Sequence, residues 1–497
     1  MTRVTFLIPS ALQPLTEGRS RLRVDVPRGS PSLGEALEAL WAIYPAVRDR
    51  VLTEQGEVRP HVNVFVGTES SRWSGGLTTP VPDGAEISIL PAVSGGSGGP
   101  MANRWVALAI VFVARTSMGY QFQSVASVGP LLVPELGLTW AQLGTLIGLY
   151  MLPGAFFALP GGMLGRRLGE RRTVVASLAL MVLGGLVTAA SHGFGPAAAG
   201  RLSSGVGAVL MNILLAKMVA DWFTEGELTT AMAIMLSSWP VGLGLAAATL
   251  GGLATHTSWR MAVATTALAA VVGLLLIAFA YPDPPRAQSA APGPAARRAQ
   301  LPRREVRLAV SAGFAWGCFN ASLVAVVAFG PAVLVARGLS LGDAGFIVSL
   351  AIWVTILSVP LGGLLTDRLG RPNLVIVAGS IVAGLATLLL PVLPHPLLAF
   401  GLLGLVTGAP PGAVMALLPK TVAPERLTTA LGVYYTVFYV VMALTQLAAG
   451  AVRDATGSPA APIVFAAAVM AATVLGLAVF RLVERAAPGV TADRVGR

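Results

Sequence analysis

Charge is scarce in this chain. Only 11% of its 497 residues are Asp, Glu, Lys or Arg, where a soluble globular protein carries about 25%. Cysteine is scarcer: Cys318 stands alone, which excludes a disulfide framework and any multi-cysteine metal site. Its apolar surroundings suit a small buried hydrophobe. Lysine occurs only at Lys217 and Lys420, and histidine only at His61, His192, His256 and His395. No Walker motif, metal-ligand cluster or nucleophile triad is found, so no metal, cofactor or catalytic residue is expected. The N-terminus lacks the basic-then-apolar pattern of a cleavable signal peptide, and none is expected.

Apolar sequence fills the space. Hydrophobic residues make up 55% of the chain and the mean hydropathy is +0.74. From Trp105 onward, apolar runs of about 20 residues follow one another, each long enough to cross a ~30 Å hydrocarbon core. They predict twelve spans, at 104–127, 140–163, 172–191, 196–219, 229–254, 259–281, 305–335, 341–365, 373–393, 396–419, 427–450 and 460–482. The net charge of +11 belongs to this part: residues 1–100 hold nine basic and ten acidic side chains, the remainder 25 basic and 13 acidic. With the N-terminus inside, cytoplasmic loops and flanks collect about 20 basic residues, and the outer loops hold Arg260, Arg337 and Arg453. That asymmetry predicts a multi-pass protein of the cell inner membrane with both termini cytoplasmic. It accounts for the excess charge without a nucleic-acid partner.

Residues 1–100 read differently. Arg3–Ile8 and Arg21–Val26 have strand patterns. Ser32 and Glu35 form a capping box ahead of Leu33, Leu37, Leu40, Trp41 and Tyr44 at helical spacing. Val62–Val66 and Glu86–Leu90 are further strands, and Asp83-Gly84 marks the turn before the last. Strand, strand, helix, strand, strand predicts a small α+β domain. The ending Ile87-Ser88-Ile89-Leu90-Pro91-Ala92-Val93-Ser94-Gly95-Gly96, with Arg59–Val66 and Pro82-Asp83-Gly84, resembles the ubiquitin-like sulfur carriers, among them the molybdopterin synthase small subunit and the thiamine sulfur carrier. The resemblance implies a β-grasp fold over residues 1–96. It also implies a working Gly95-Gly96 tail whose free carboxylate is adenylated, and a partner in an adenylating enzyme or a molybdopterin synthase large subunit. Two readings of Gly95-Gly96 stand, because here the pair runs on into Ser97: an active tail freed by cleavage, or part of a flexible linker.

The membrane part repeats itself. Gly161-Gly162-Met163-Leu164-Gly165-Arg166-Arg167-Leu168-Gly169 returns about 201 positions later as Gly362-Gly363-Leu364-Leu365-Thr366-Asp367-Arg368-Leu369-Gly370. Lys217 and Lys420, and Thr229-Thr230 and Thr428-Thr429, also correspond. Glycine lets helices approach closely in lipid, and the arginines hold a short loop on the cytoplasmic side. This resembles the signature loop of the major facilitator superfamily. The second copy, with Asp367 and Arg368, is nearer the family pattern, and the first carries Gly165 where the family carries the acid. Arg201-Leu202-Ser203-Ser204-Gly205 is similar to the family's fourth-span motif, and Trp239-Pro240-Val241-Gly242 partly matches its fifth-span motif. The expected organisation is an all-α membrane fold of two six-helix repeats. Residues 97–103 and 282–304 are linkers, 104–281 and 305–483 are the repeats, and 484–497 is a tail.

An ionisable group inside a span is expensive, so the few present are the candidates. Arg115 lies ~16 Å into span one at 1.5 Å per residue, and no acid occupies the centre of any span. Gly119 and Gln123 follow it on one helix face. Gln121, Asn212 and Asn320 are polar in spans that the resemblance places around a cavity, with Asn320 expected to face Arg115. These five side chains, Arg115, Gln121, Gln123, Asn212 and Asn320, are the candidate substrate residues. Arg201, Gly161, Gly165, Arg166, Gly362, Asp367 and Arg368 are candidates for gating. Tyr434, Tyr435 and Tyr439 read as packing. Three functions stay open: a secondary transporter of a small anionic solute with a fused carrier-like domain, a membrane-tethered sulfur carrier released by cleavage, and a membrane sensor.

Overall fold

The computed structural model describes residues 2–9, 12–26, 31–53, 56–59, 62–67, 69–71, 75–91, 100–157, 168–223, 225–282 and 301–486. Gly95, Gly96, Gly161, Gly165 and Arg166 lie outside the described residues, as do most of the expected linkers and tail. The chain divides into two units, Met1–Ala102 and Asn103–Arg497.

In the first unit, alternation of apolar and polar residues makes each strand half-buried. Arg21–Val26 exposes its arginines and Asp25 while burying Leu22, Val24 and Val26. The strands are β1 (Thr2–Leu7), β2 (Arg21–Val26), β3 (Val62–Val66), β4 (Glu69–Ser70) and β5 (Glu86–Pro91). They form one sheet in the order β2-β1-β5-β3-β4. The first and last strands run parallel at its centre and the other pairs are antiparallel. With helix α1 (Leu33–Ile43) packed on it, this is the β-grasp arrangement expected. The capping box forms: Ser32 N–H donates to Glu35 at 2.9 Å and Glu35 N–H donates to Ser32 Oγ at 3.3 Å. The helix buries Leu33, Ala36, Leu37 and Leu40 in one core with Val4, Phe6, Ile87 and Ile89. Gly84 takes a positive φ of 75° that suits glycine. Its N–H donates to the Arg3 carbonyl at 2.8 Å, and Arg3 N–H donates to Asp83 at 2.7 Å. This turn fixes the register of β5 against β1. The short helix α2 (Pro45–Val51) and strand β4 escape the sequence pattern.

Among its described residues the second unit contains twelve helices long and apolar enough to cross a membrane. In order they are Arg104–Ser127, Trp140–Phe157, Glu170–Ala189, Phe194–Ala220, Glu227–His256, Trp259–Ala280, Arg303–Ala336, Leu341–Leu369, Pro372–Leu389, Pro396–Met415, Glu425–Thr456 and Ala461–Arg485, hereafter spans 1 to 12. All twelve coincide with the expected runs. Span 10 is broken into Pro396–Val406 and Pro410–Met415, ahead of two prolines that cannot donate backbone bonds. The halves meet through spans 2 and 11 and through spans 5 and 8, where glycines admit backbone contact. A Cβ on Gly148 would lie 2.5 Å from the Ala443 carbonyl oxygen, and one on Gly251 2.7 Å from that of Leu341.

For residues 1–96 expressed alone, Ser32→Ala should cost about 1 kcal/mol and Leu37→Ala about 2–5 kcal/mol in urea unfolding. Losses near zero for both would contradict the packing of α1.

Candidate functional site

Span 5 carries Pro240, which has no N–H and leaves the Leu236 carbonyl without its helical partner. Span 1 crosses span 5 just there, glycine on glycine: a Cβ on Gly242 would lie 3.0 Å from the Gly119 Cα. One turn before Gly119, Arg115 reaches the freed carbonyl. Its Nη1 donates to Leu236 O at 2.9 Å, Met235 O at 3.1 Å and Ser238 Oγ at 3.2 Å. Its Nε donates to Asn212 Oδ1 at 2.8 Å. Arg115 is only 7% exposed. Among the described residues no carboxylate pairs with it and Nη2 bonds to nothing.

Arg115 lines a cavity of about 650 Å³ walled by spans 1, 2, 4 and 5 of the first half and 7, 8, 10 and 11 of the second. Gln123, Asn212 and Asn320 line it too. Gln121 does not: its amide donates to the Met181 carbonyl at 2.9 Å, buried among spans 1 and 3. The sequence reading also undervalued the aromatic wall. Trp239, Trp316, Tyr435, Phe438 and Tyr439 all face the cavity, with Phe438 and Tyr439 5.1 Å apart and Trp316 and Phe438 6.4 Å apart. The signal was present: 435, 438 and 439 share one helical face, as do Trp316 and Asn320. Tyr434 is the packing residue of the group, only 2% exposed in the core of the second half.

Arg201 stands apart from the cavity and ties three spans together. It donates from Nε to Leu146 O at 3.0 Å, from Nη1 to Gln121 O at 2.9 Å and from Nη2 to Phe122 O at 2.9 Å. It lies over the Tyr150 ring at 4.6 Å. Gly362 packs span 8 on the break in span 10, where a Cβ would lie 2.7 Å from Ala409 Cα. Asp367 and Arg368 are exposed at the end of span 8, with no bonded partner among the described residues. In the 201-residue register Asp367 corresponds to Arg166 rather than to Gly165.

Ion pairs gather at the helix ends. Arg104 of span 1 grips Glu227 of span 5 with bonds of 2.6 and 3.0 Å. Arg426 of span 11 grips Glu305 of span 7 with its shortest bonds at 2.7 and 2.8 Å. Lys217 pairs with Glu170 and, at 3.2 Å, with Asp221. At the opposite end, Asp454 of span 11 accepts from the N–H groups of Trp140 and Ala141, at 2.9 and 2.8 Å. It thereby caps span 2 across the halves. Glu135, between spans 1 and 2, pairs with Arg260 of span 6, whose hydrogen bond holds that carboxyl below the usual carboxylate range.

Known proteins resemble the two units separately. The family model described as Major Facilitator Superfamily matches residues 108–340 and 309–495, and that of the ThiS family matches residues 8–96. The sulfur carrier protein CysO of Mycobacterium tuberculosis is 37% identical over 95 residues, 19% of this chain and 98% of that protein. The hexuronate transporter of Bacillus subtilis is 22% identical over 262 residues, 50% of this chain and 61% of that protein. In structure, a bacterial homologue of the human lysosomal transporter Spinster, inward-facing and occupied, superposes with a TM-score of 0.62 at 16% identity. That match covers 78% of this chain and 98% of the other and shows the shared fold.

Arg201→Lys replaces three directed donors by a point charge and loses charged hydrogen bonds of about 1.5–3 kcal/mol each. The variant should melt well below wild type in detergent thermal unfolding. An unchanged transition would show that the three bonds are dispensable.

Proposed function

The chain belongs to the major facilitator superfamily, with a ThiS-family domain fused ahead of it, and on that premise we propose a secondary active transporter of a small anionic solute. The observation that carries the reading is the position of Arg115. It is buried, lines a cavity between the halves, and has neither a carboxylate partner nor a bond to Nη2 among the described residues. A cation held there gains most from an anion that enters and leaves. Its planar fork suits an oxyanion, which a point charge does not. Hexuronate, named for the Bacillus subtilis relative, is itself a carboxylate. Gln123, Asn212 and Asn320 are the further substrate contacts, and Gln121 supports the helix behind them. Arg201, Gly362, Asp367 and Arg368 belong to the moving framework, together with Gly161, Gly165 and Arg166. The membrane unit is a transporter and not an enzyme.

The basic flanks support cytoplasmic termini in the cell membrane, and so a cytoplasmic carrier domain. The ThiS-family match runs to residue 96 and ends on the Gly-Gly pair. As a second reading we propose that residues 1–96, once freed, meet an adenylating enzyme or a molybdopterin synthase large subunit. The intact mass of the membrane-bound chain tests that: a mature chain beginning at Ser97 supports it, and a full-length chain in producing cells opposes it.

A reporter fused at residue 290 should be cytoplasmic and one at residue 395 external, and the reverse would undo the orientation. In proteoliposomes, Arg115→Lys should lose most anion uptake while still reaching the membrane. Undiminished anion uptake by the variant, or a wild type that moves only neutral or cationic solutes, would refute the role given to Arg115.

A further inference from the structure

The cavity sorts its hydrogen-bonding groups by polarity, and that pattern describes a ligand. Asn212 gives its Oδ1 to Arg115 Nε, so its Nδ2 is the atom left over. Arg115 spends Nε and Nη1 on the protein, so Nη2 is left over. Arg115 Nη2 and Asn212 Nδ2 are therefore the donors not engaged by the protein. Asn320 is the converse. Its Nδ2 donates to the Trp316 carbonyl at 2.9 Å, leaving Oδ1 as an acceptor. Gln123 donates its Nε2 to the Val327 carbonyl at 3.4 Å, leaving Oε1. In each case the bonded partner fixes which way the amide points. None of these four leftover atoms bonds to the protein among the described residues. Trp316, Tyr435, Phe438 and Tyr439 line the same cavity.

Resting on the transport reading above, we propose that the substrate is an organic anion with three parts. An oxyanion head meets Arg115 and Asn212, a flat apolar body lies against the aromatic wall, and a hydrogen-bond donor meets Asn320. A bare inorganic anion fills the head site alone and leaves the aromatic wall without a partner.

The test is binding to the full chain in detergent, read as the half-saturating concentration in thermal-shift titrations. The probes are 4-aminobenzoate, benzamide, hexanoate and sulfate. 4-Aminobenzoate should half-saturate at a concentration at least about tenfold lower than benzamide, because charge-assisted bonds to the head are lost in the amide. It should be at least about fivefold lower than hexanoate, which lacks a ring. Sulfate should bind more weakly still. Asn212→Asp keeps an oxygen for Arg115 Nε and preserves the packing, but it puts an acceptor and a negative charge where the donor stood. It should lose at least about tenfold for 4-aminobenzoate and leave benzamide unchanged. Trp316→Leu should erase the advantage over hexanoate and keep that over benzamide. If sulfate or hexanoate binds as tightly as 4-aminobenzoate while benzamide does not, the ring-bearing substrate is wrong and the anion reading stands. If benzamide binds as tightly as the acids, the anion reading falls with it.

Discussion

A guanidinium taken out of water must find acceptors for its N–H groups, and a helix bundle in lipid has few to give. Both deeply placed arginines find backbone carbonyls. Arg201 uses three, one on span 2 and two on span 1, and its bonding is complete within the first half. Arg115 uses two on span 5, one of them free only because Pro240 cannot bond to it, together with two polar side chains. Its Nη2 has no partner among the described residues, whereas each guanidinium nitrogen of Arg201 has one. The close crossing of Gly119 and Gly242 follows from the same need, since a bulkier residue at either position would lift Arg115 away from its acceptors.

The two halves have diverged around their common plan. The first supplies the cationic and amide side of the cavity, with Trp239 as its one ring. The second supplies Trp316 and the aromatic face of span 11, with Asn320, Thr355 and Thr407 as its polar members. A repeated fold built from one sequence twice would give a cavity with the same character on both walls. Here divergence gives the two walls different chemistry. The halves also differ at the end where Asp454 of the second caps a helix of the first.

The spans and the β-grasp domain were legible because each rests on a local rule. Apolar length finds a span, alternation finds a strand, and Ser32 with Glu35 finds a helix start. Arg115, Asn212, Gln123 and Asn320 were legible as polar residues out of place. Gln121 was misplaced because helix phase alone does not say which neighbour a face meets. It sits two residues from Gln123 and points into span 3 instead of the cavity. The aromatic wall was discounted because a tyrosine on a buried face looks the same whether it meets a helix or a void. Tyr434 and Tyr435 are adjacent in sequence, yet only Tyr435 faces the cavity. The bond from Arg115 to the Leu236 carbonyl was hidden because it depends on where two helices cross, a property of neither alone.

The pairs at the helix ends are mirror images with the charges exchanged. Span 1 brings arginine and span 5 glutamate, whereas span 7 brings glutamate and span 11 arginine. Each of these two pairs joins spans of its own half. The duplicated backbone thus uses one strap twice with its polarity reversed, so the helix positions match between the halves where the side chains do not.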